Sequence, residues 1–289
     1  MNLGYACINM SLGKKVTTNR TMIKRTFLEK GLDYVSDCVI QNVADLERII
    51  EWNEQNGIKM YRMSSDMMPW ATEYQFEQLK DWNEIAIILK RCGDKATKYG
   101  QRLSFHPGPF NVLVSPKEAV VQNTINDLEV HGRLMDAIGL SKTPYNKINI
   151  HCNGVYGDKQ SAMDRFIDNF KLLSDSVKSR LTIENDDKAS MYSVKDLMYI
   201  HNAIKIPIVF DYHHHTFNTG NLSEQDALEL AMSTWPKGIT PAVHYSESKM
   251  GSKPQAHSDF IERIPETYGN IVDIMVEAKQ KDLAIIKFI

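Results

Sequence analysis

Leu181-Thr-Ile-Glu184, and about a helix's length downstream Ile206-Pro-Ile-Val-Phe-Asp211, are short, nearly continuous apolar runs that each end on a carboxylate. Runs of this kind are how strands read when both faces are buried in a parallel sheet. Working outward, the same pattern recurs at Leu3–Ile8, Ile58–Met63, Leu103–His106, Ile148–His151, Ala242–Tyr245 and Ile271–Glu277. Helical signals lie between them. Asn42 to Trp52 carries apolar residues at helical spacing and is followed by Gly57. Glu73 to Tyr99 is a long amphipathic stretch closed by Gly100. Ser115-Pro-Lys-Glu118 predicts a helix start with a serine cap and a proline at the first position, and Ser223-Glu-Gln-Asp226 predicts another. Lys279 to Ile289 reads as a last short helix.

Eight strands alternating with helices allow a closed barrel or an open doubly wound sheet. No GxGxxG or GxxxxGK(S/T) follows the first strand, which disfavours a nucleotide-binding open sheet. The predicted fold is therefore a single α/β domain over residues 1–289, a (β/α)8 TIM barrel. Such barrels commonly run to about 250 residues as one domain.

Composition sets further bounds. The chain of 289 residues is 43% hydrophobic and 24% charged, an ordinary globular balance. Its four cysteines form no CxxC pair, so no zinc ribbon is expected and the thiols read as reduced. The start, MNLGYACINM, has no basic segment followed by an apolar one, and no apolar run approaches the ~20 residues that span a membrane. These features predict an intracellular, cytoplasmic protein. The net charge of −2 gives no bulk affinity for nucleic acid. Two local patches are basic: Lys14, Lys15, Arg20, Lys24 and Arg25, and the segment Lys249 to Lys253. They read either as solvated loop charge or as phosphate contacts.

The positions of the polar residues point to function. Six consecutive strands end on His106, His151, Glu184, Asp211, His244 and Glu277. In a barrel these ends share one face, where barrel enzymes place their chemistry. Crowding imidazoles and carboxylates into one partly dry pocket carries a steep desolvation cost, which divalent cations would remove. Mixed His and carboxylate donors suit Zn²⁺, Mn²⁺ or Fe²⁺ better than Mg²⁺ or Ca²⁺. There are too many donors for one ion, and Glu184 and Glu277 can each bridge two. His214, three residues after Asp211, can turn into the same pocket, and His257 lies in the loop after the seventh strand. Asp259 reads as a ligand, a partner to one, or a helix-start carboxylate. His213 and His215 read as loop polarity, and His131 and His201 as structural.

Taken together, Leu3-Gly-Tyr-Ala-Cys-Ile-Asn, Tyr61-Arg-Met-Ser-Ser-Asp, Ser104-Phe-His-Pro-Gly, Asn149-Ile-His, Thr182-Ile-Glu-Asn-Asp, Phe210-Asp-Tyr-His-His, Val243-His-Tyr-Ser, His257-Ser-Asp-Phe-Ile and Asp273-Ile-Met-Val-Glu resemble, in this order, the UV-damage endonucleases, relatives of endonuclease IV. The resemblance implies up to three divalent metal ions, manganese foremost, with zinc or magnesium as alternatives. It implies His106, His151, Glu184, Asp211, His214, His244, His257 and Glu277 as ligands, with catalysis centred on Glu184, Glu277, His214 and His257. The implied reaction hydrolyses the phosphodiester immediately 5′ to a pyrimidine photoproduct, leaving a 3′-hydroxyl; relatives also act at abasic sites. The implied partner is damaged double-stranded DNA, met by a monomer with no membrane partner. Tyr5 and Phe110 are the expected lesion contacts or wedges. Arg62, Ser64 and Ser65 are expected on phosphate or sugar, and Lys14 and Lys249 on the flanking backbone.

Two departures bear on this. The family carries a lysine two positions before the strand-seven histidine, which helps to hold a metal; here it is Ala242, so weaker binding or replacement by water or Asp259 is expected. The lesion-probing Gln-Tyr pair of some members is here Pro109-Phe110, which keeps an aromatic wedge and loses the amide. Three alternatives remain at this level: a sugar isomerase or epimerase on the same barrel, an endonuclease IV-type abasic-site enzyme, and a lesion-binding module without catalysis.

Overall fold

The computed structural model describes residues 1–289. Its strands are β1 (Leu3–Ala6), β2 (Met60–Arg62), β3 (Arg102–Ser104), β4 (Ile148–His151), β5 (Leu181–Glu184), β6 (Ile208–Val209), β7 (Ala242–Tyr245) and β8 (Asp273–Val276). All the pairings between these strands are parallel, in two ladders ordered β3-β2-β1-β8-β7 and β4-β5-β6. Parallel bridges Phe105 to Ile148 and Asp211 to His244 join the ladders on both sides. The result is a closed eight-stranded barrel with every strand's C-terminal end at one mouth, as the sequence predicts.

The main helices are α1 (Lys24–Gln55), α2 (Trp82–Lys98), α3 (Glu118–Ile138), α4 (Lys159–Phe170), α5 (Asp175–Lys178), α6 (Val194–Ile204), α7 (Tyr212–Phe217), α8 (Glu224–Met232) and α9 (Asp282–Ile285). Helix α1 is broken at Gly31, whose φ of 63° favours glycine. Two predicted helix starts move. Residues 73–81 do not join α2, because Gln75 and Gln78 cap a separate 3₁₀ turn that buries Phe76. Ser115 does not cap α3; its hydroxyl accepts from the Lys117 N–H, closing a local turn, and the helix begins at Glu118. Ser223 does cap α8, accepting from the Asp226 N–H at 3.1 Å.

The opposite end of the barrel is closed by a charge. Arg102, at the start of β3, is fully buried. Its guanidinium donates to Asp273 at 3.1 Å and to the carbonyls of Tyr145, Thr240 and Pro144, and it lies near the rings of Tyr145 and Trp235. Breaking such a pair strands its partner in a dry interior, at a cost of about 3–5 kcal/mol. Arg102→Met is thus expected to lower stability by that amount in urea unfolding. An unchanged midpoint would show that the two bonds Asp273 already accepts from Asn2 suffice to hold its charge.

Candidate metal centre at the barrel mouth

Glu184, the last residue of β5, is the hub. Its Oε2 lies 3.1 Å from His106 Nε2, 3.0 Å from His244 Nδ1 and 3.8 Å from His151 Nε2. Its Oε1 lies 3.4 Å from His214 Nδ1. Glu277 closes the far side, with Oε1 3.1 Å from His244 Nδ1 and Oε2 3.8 Å from His257 Nδ1. Asp211 caps the short helix α7 by accepting from the His214 N–H, which turns His214 into the cluster. Three overlapping groups can each hold a metal ion: His106–His244–Glu277, His106–His151–Glu184 and Glu184–Asp211–His244. His214 and His257 stand beside these groups, within 4 Å of Glu184 and Glu277 respectively.

Second partners orient several rings from behind. The Nδ1–H groups of His106, His214 and His257 face the carbonyls of Pro107, Asn185 and Glu277 at 3.2, 2.9 and 3.0 Å. His151 Nδ1 lies 3.0 Å from Asp186 Oδ1. In His106 and His151 this leaves Nε2 facing Glu184, whereas in His214 and His257 the same Nδ1 lies between a backbone carbonyl and a carboxylate.

The donor set fits cations. Glu184 Oε1 and Asp211 Oδ2 are buried with no hydrogen-bond donor. Burial lowers His106 to about 4, so the ring carries one proton yet lies between a carbonyl and a carboxylate. Burial also raises Asp211 above its ordinary value. Burial alone would raise Glu184 and Glu277 as well. Instead His244, His151 and His106 hold Glu184 well below the usual carboxylate range, and Arg62 with His244 does the same for Glu277. A pocket so rich in acceptors is one that positive ions would stabilise.

Several residues lie where sequence reading did not put them. Tyr5 is buried in the core, its hydroxyl donating to Asn53 and accepting from Asn9, so it does not reach a lesion. Arg62 is not a free phosphate clamp; its side chain turns inward and pairs with Glu277. Ser64 is buried and its hydroxyl accepts from the Asp66 N–H. Lys249 is paired with Asp259 at 3.1 Å, which also keeps Asp259 from taking the place of the missing family lysine. Phe110 and Lys14 are exposed on loops of the catalytic face.

Three residues close to the ligands went unread in the sequence: Asn149, which donates to Glu184; Asp186; and Lys147. The Lys147 amine is fully buried 2.9 Å from His244 Nε2, and burial pushes it down to about 7. With Lys147 protonated it donates to Nε2, and His244 keeps its proton on Nδ1. With Lys147 neutral the ring proton can sit on Nε2, freeing the Nδ1 lone pair for the cluster. Ala242 itself is buried among Met60, Val209, Trp235 and Met275.

A pH dependence follows for the metal-free protein. Burial disfavours His151 protonation, but Glu184 and Asp186 outweigh it and raise the ring from 6.5 to about 9. Its proton therefore supports the fold fully below pH 6.5, and this support fades as pH rises through about 9. Metal binding needs the neutral ring and runs the other way. Across this window the chelated protein is expected to lose up to about 3 kcal/mol of stability while Mn²⁺ affinity rises. Paired thermal melts with and without Mn²⁺ check this, and a chelated protein with a flat pH profile would contradict it.

A closed barrel whose mouth gathers imidazoles and carboxylates able to hold metal ions defines the class: a TIM-barrel protein with a metal-type centre at its C-terminal face. The chain belongs to the UV-endonuclease UvdE family, which it matches over residues 1–289. The UV-damage endonuclease of Schizosaccharomyces pombe is 37% identical over 300 residues, covering 98% of this chain; the chain spans about half of that relative, 49%. The UV DNA damage endonuclease of Bacillus cereus strain Q1 is 34% identical over 100% of this chain and 93% of its own length. The crystal structure of SacUVDE superposes with a TM-score of 0.88 at 33% identity, covering 99% of this chain and 96% of that one. Likeness to L-ribulose 3-epimerase, with 14% identity and a TM-score of 0.56, shows the shared barrel alone. Family membership sets aside the isomerase alternative. No helix is long and apolar enough to cross a membrane.

Proposed function

We propose that this barrel hydrolyses the DNA phosphodiester immediately 5′ to UV photoproducts, with up to three divalent cations, Mn²⁺ foremost, held by His106, His151, Glu184, Asp211, His214, His244, His257 and Glu277. The observation that carries this reading is the acceptor-rich cluster around Glu184, set in a chain of the UV-endonuclease family. Bound cations supply an activated water and neutralise charge on the scissile phosphate and the leaving 3′-oxygen.

The chain's own residues do the rest. Glu184 and Glu277 span the cluster and fix the spacing of its parts. Arg62 holds Glu277 in place, and Asp186 holds the tautomer of His151. Beside His106 opens a cleft of about 770 Å³ lined by Ser64, Ser65, Asn111, Asn123 and Thr124, with Phe110 at its rim. Lysine and arginine are absent from its lining, so it suits a nucleobase better than a phosphate. A photoproduct already weakens stacking, so extruding it toward such a cleft costs less than extruding an intact pair. Lys14 would grip the flanking backbone.

The test is nicking of UV-irradiated supercoiled plasmid, with unirradiated and abasic plasmids alongside. Relaxed circles in Mn²⁺, formed on irradiated DNA and absent with chelator, are expected. Nicking confined to abasic plasmid would favour an endonuclease IV-type enzyme instead.

A further inference from the structure

In an eight-stranded barrel the loops after β3 and β7 leave the mouth from opposite sides. Each carries a large apolar side chain with almost no cover: Phe110 is 88% exposed and Met250 is 94% exposed. Single exposed apolar residues are common and mean little alone. Met250 differs in how it is held. It sits in a turn of a built hairpin, where the Lys249 N–H donates to Ala256 O and the Ser258 N–H donates to Glu247 O, both at 2.7 Å. Ser248 and His257 pair across its base as an antiparallel bridge. That base is fastened to the site, because His257 Nδ1–H faces the Glu277 carbonyl at 3.0 Å. The turn also carries Lys253, exposed three residues past the tip, whereas Lys249 is already paired with Asp259. A stiff hairpin rooted beside His257, with an apolar tip next to an exposed lysine, matches the way architectural proteins push a side chain between base steps while holding phosphates.

We propose that Met250 is a second wedge: it inserts between base pairs of duplex DNA on the flank of the lesion opposite Phe110, with Lys253 on the adjoining phosphate. This rests on the endonuclease reading above. A methionine suits the place because its unbranched, polarisable chain adapts to an irregular gap between bases. Two wedges on opposite sides of the mouth would unstack both flanks of the lesion at once and bend the duplex over the cluster.

The experiment uses Glu184→Gln protein, to prevent cleavage, bound to duplexes with one photoproduct and a 2-aminopurine at the step on either flank. Two fluorescence increments are expected, one per flank. Met250→Ala should abolish one, Phe110→Ala the other, and Met250→Leu should restore the first. Met250→Ala should weaken lesion-duplex binding about tenfold without changing the salt slope, whereas Lys253→Ala should lower that slope. Met250 is exposed, so manganese content and melting temperature should stay as in the parent. Both increments surviving in Met250→Ala, with or without lost affinity, overturns the wedge. Plasmid nicking by the unmutated protein separates the two levels: if it nicks irradiated DNA while Met250→Ala keeps both increments, the wedge alone fails. If the unmutated protein nicks nothing, the endonuclease reading fails with it.

Discussion

Replacing Glu184 with glutamine is expected to lower nicking of irradiated DNA by about 10³-fold or more, a loss of about 4 kcal/mol of transition-state stabilisation. The substitution keeps the side-chain volume and removes the charge. Glu184 is the one carboxylate within 4 Å of four imidazoles, those of His106, His151, His214 and His244. An amide in its place gives one acceptor oxygen where the carboxylate has two, and it turns an N–H toward the surrounding imidazoles. Because Glu184 is surrounded by polar groups, the fold should survive, which circular dichroism can verify. Nicking at the parental rate by a well-folded Glu184→Gln protein would remove this residue from the site.

Stripping metal is expected to have an effect of similar size, with a stability change alongside it. Chelated protein should nick at background, and Mn²⁺ should restore activity. A ligand at one hundred times its dissociation constant stabilises the folded state by about 2.7 kcal/mol. For a chain of this size that raises the melting temperature by roughly 4–5 °C. Mn²⁺ and Zn²⁺ should do this at lower concentration than Mg²⁺, because five of the eight proposed donors are imidazoles. Activity that persists in chelator, with no shift in melting temperature on adding any divalent ion, would mean that the imidazole–carboxylate cluster balances its own charge.

The barrel was legible because buried parallel strands announce themselves as continuous apolar runs, and because six of them end on ligand-type residues. The site followed from topology: once the strands are parallel and the barrel is closed, residues as far apart as His106 and Glu277 must share one mouth. Groups inside the barrel were hidden for the same reason. Arg102 and Lys147 sit at or just before strand starts, where a charge reads as the edge of a loop, yet both are fully buried. Nothing local tells a plug from a solvated cation. Tyr5 and Arg62 lie in and at the end of strands near the mouth, where one residue's shift in register exchanges core for groove. Their direction was set by partners distant in sequence, Asn53 and Glu277. Helix starts at Glu73 and Ser115 failed because capping residues also close isolated turns. The hairpin in the loop between β7 and β8 had no periodicity to reveal it, and only the fold sets Met250 across from Phe110.

The most direct test of the cation cluster is anomalous diffraction at the manganese edge from crystals grown with Mn²⁺. Peaks are expected among His106, His151, Glu184, Asp211, His244 and Glu277, with Glu184 shared between two of them. A map with no peak in that pocket, or with manganese bound only at surface carboxylates, would contradict the account.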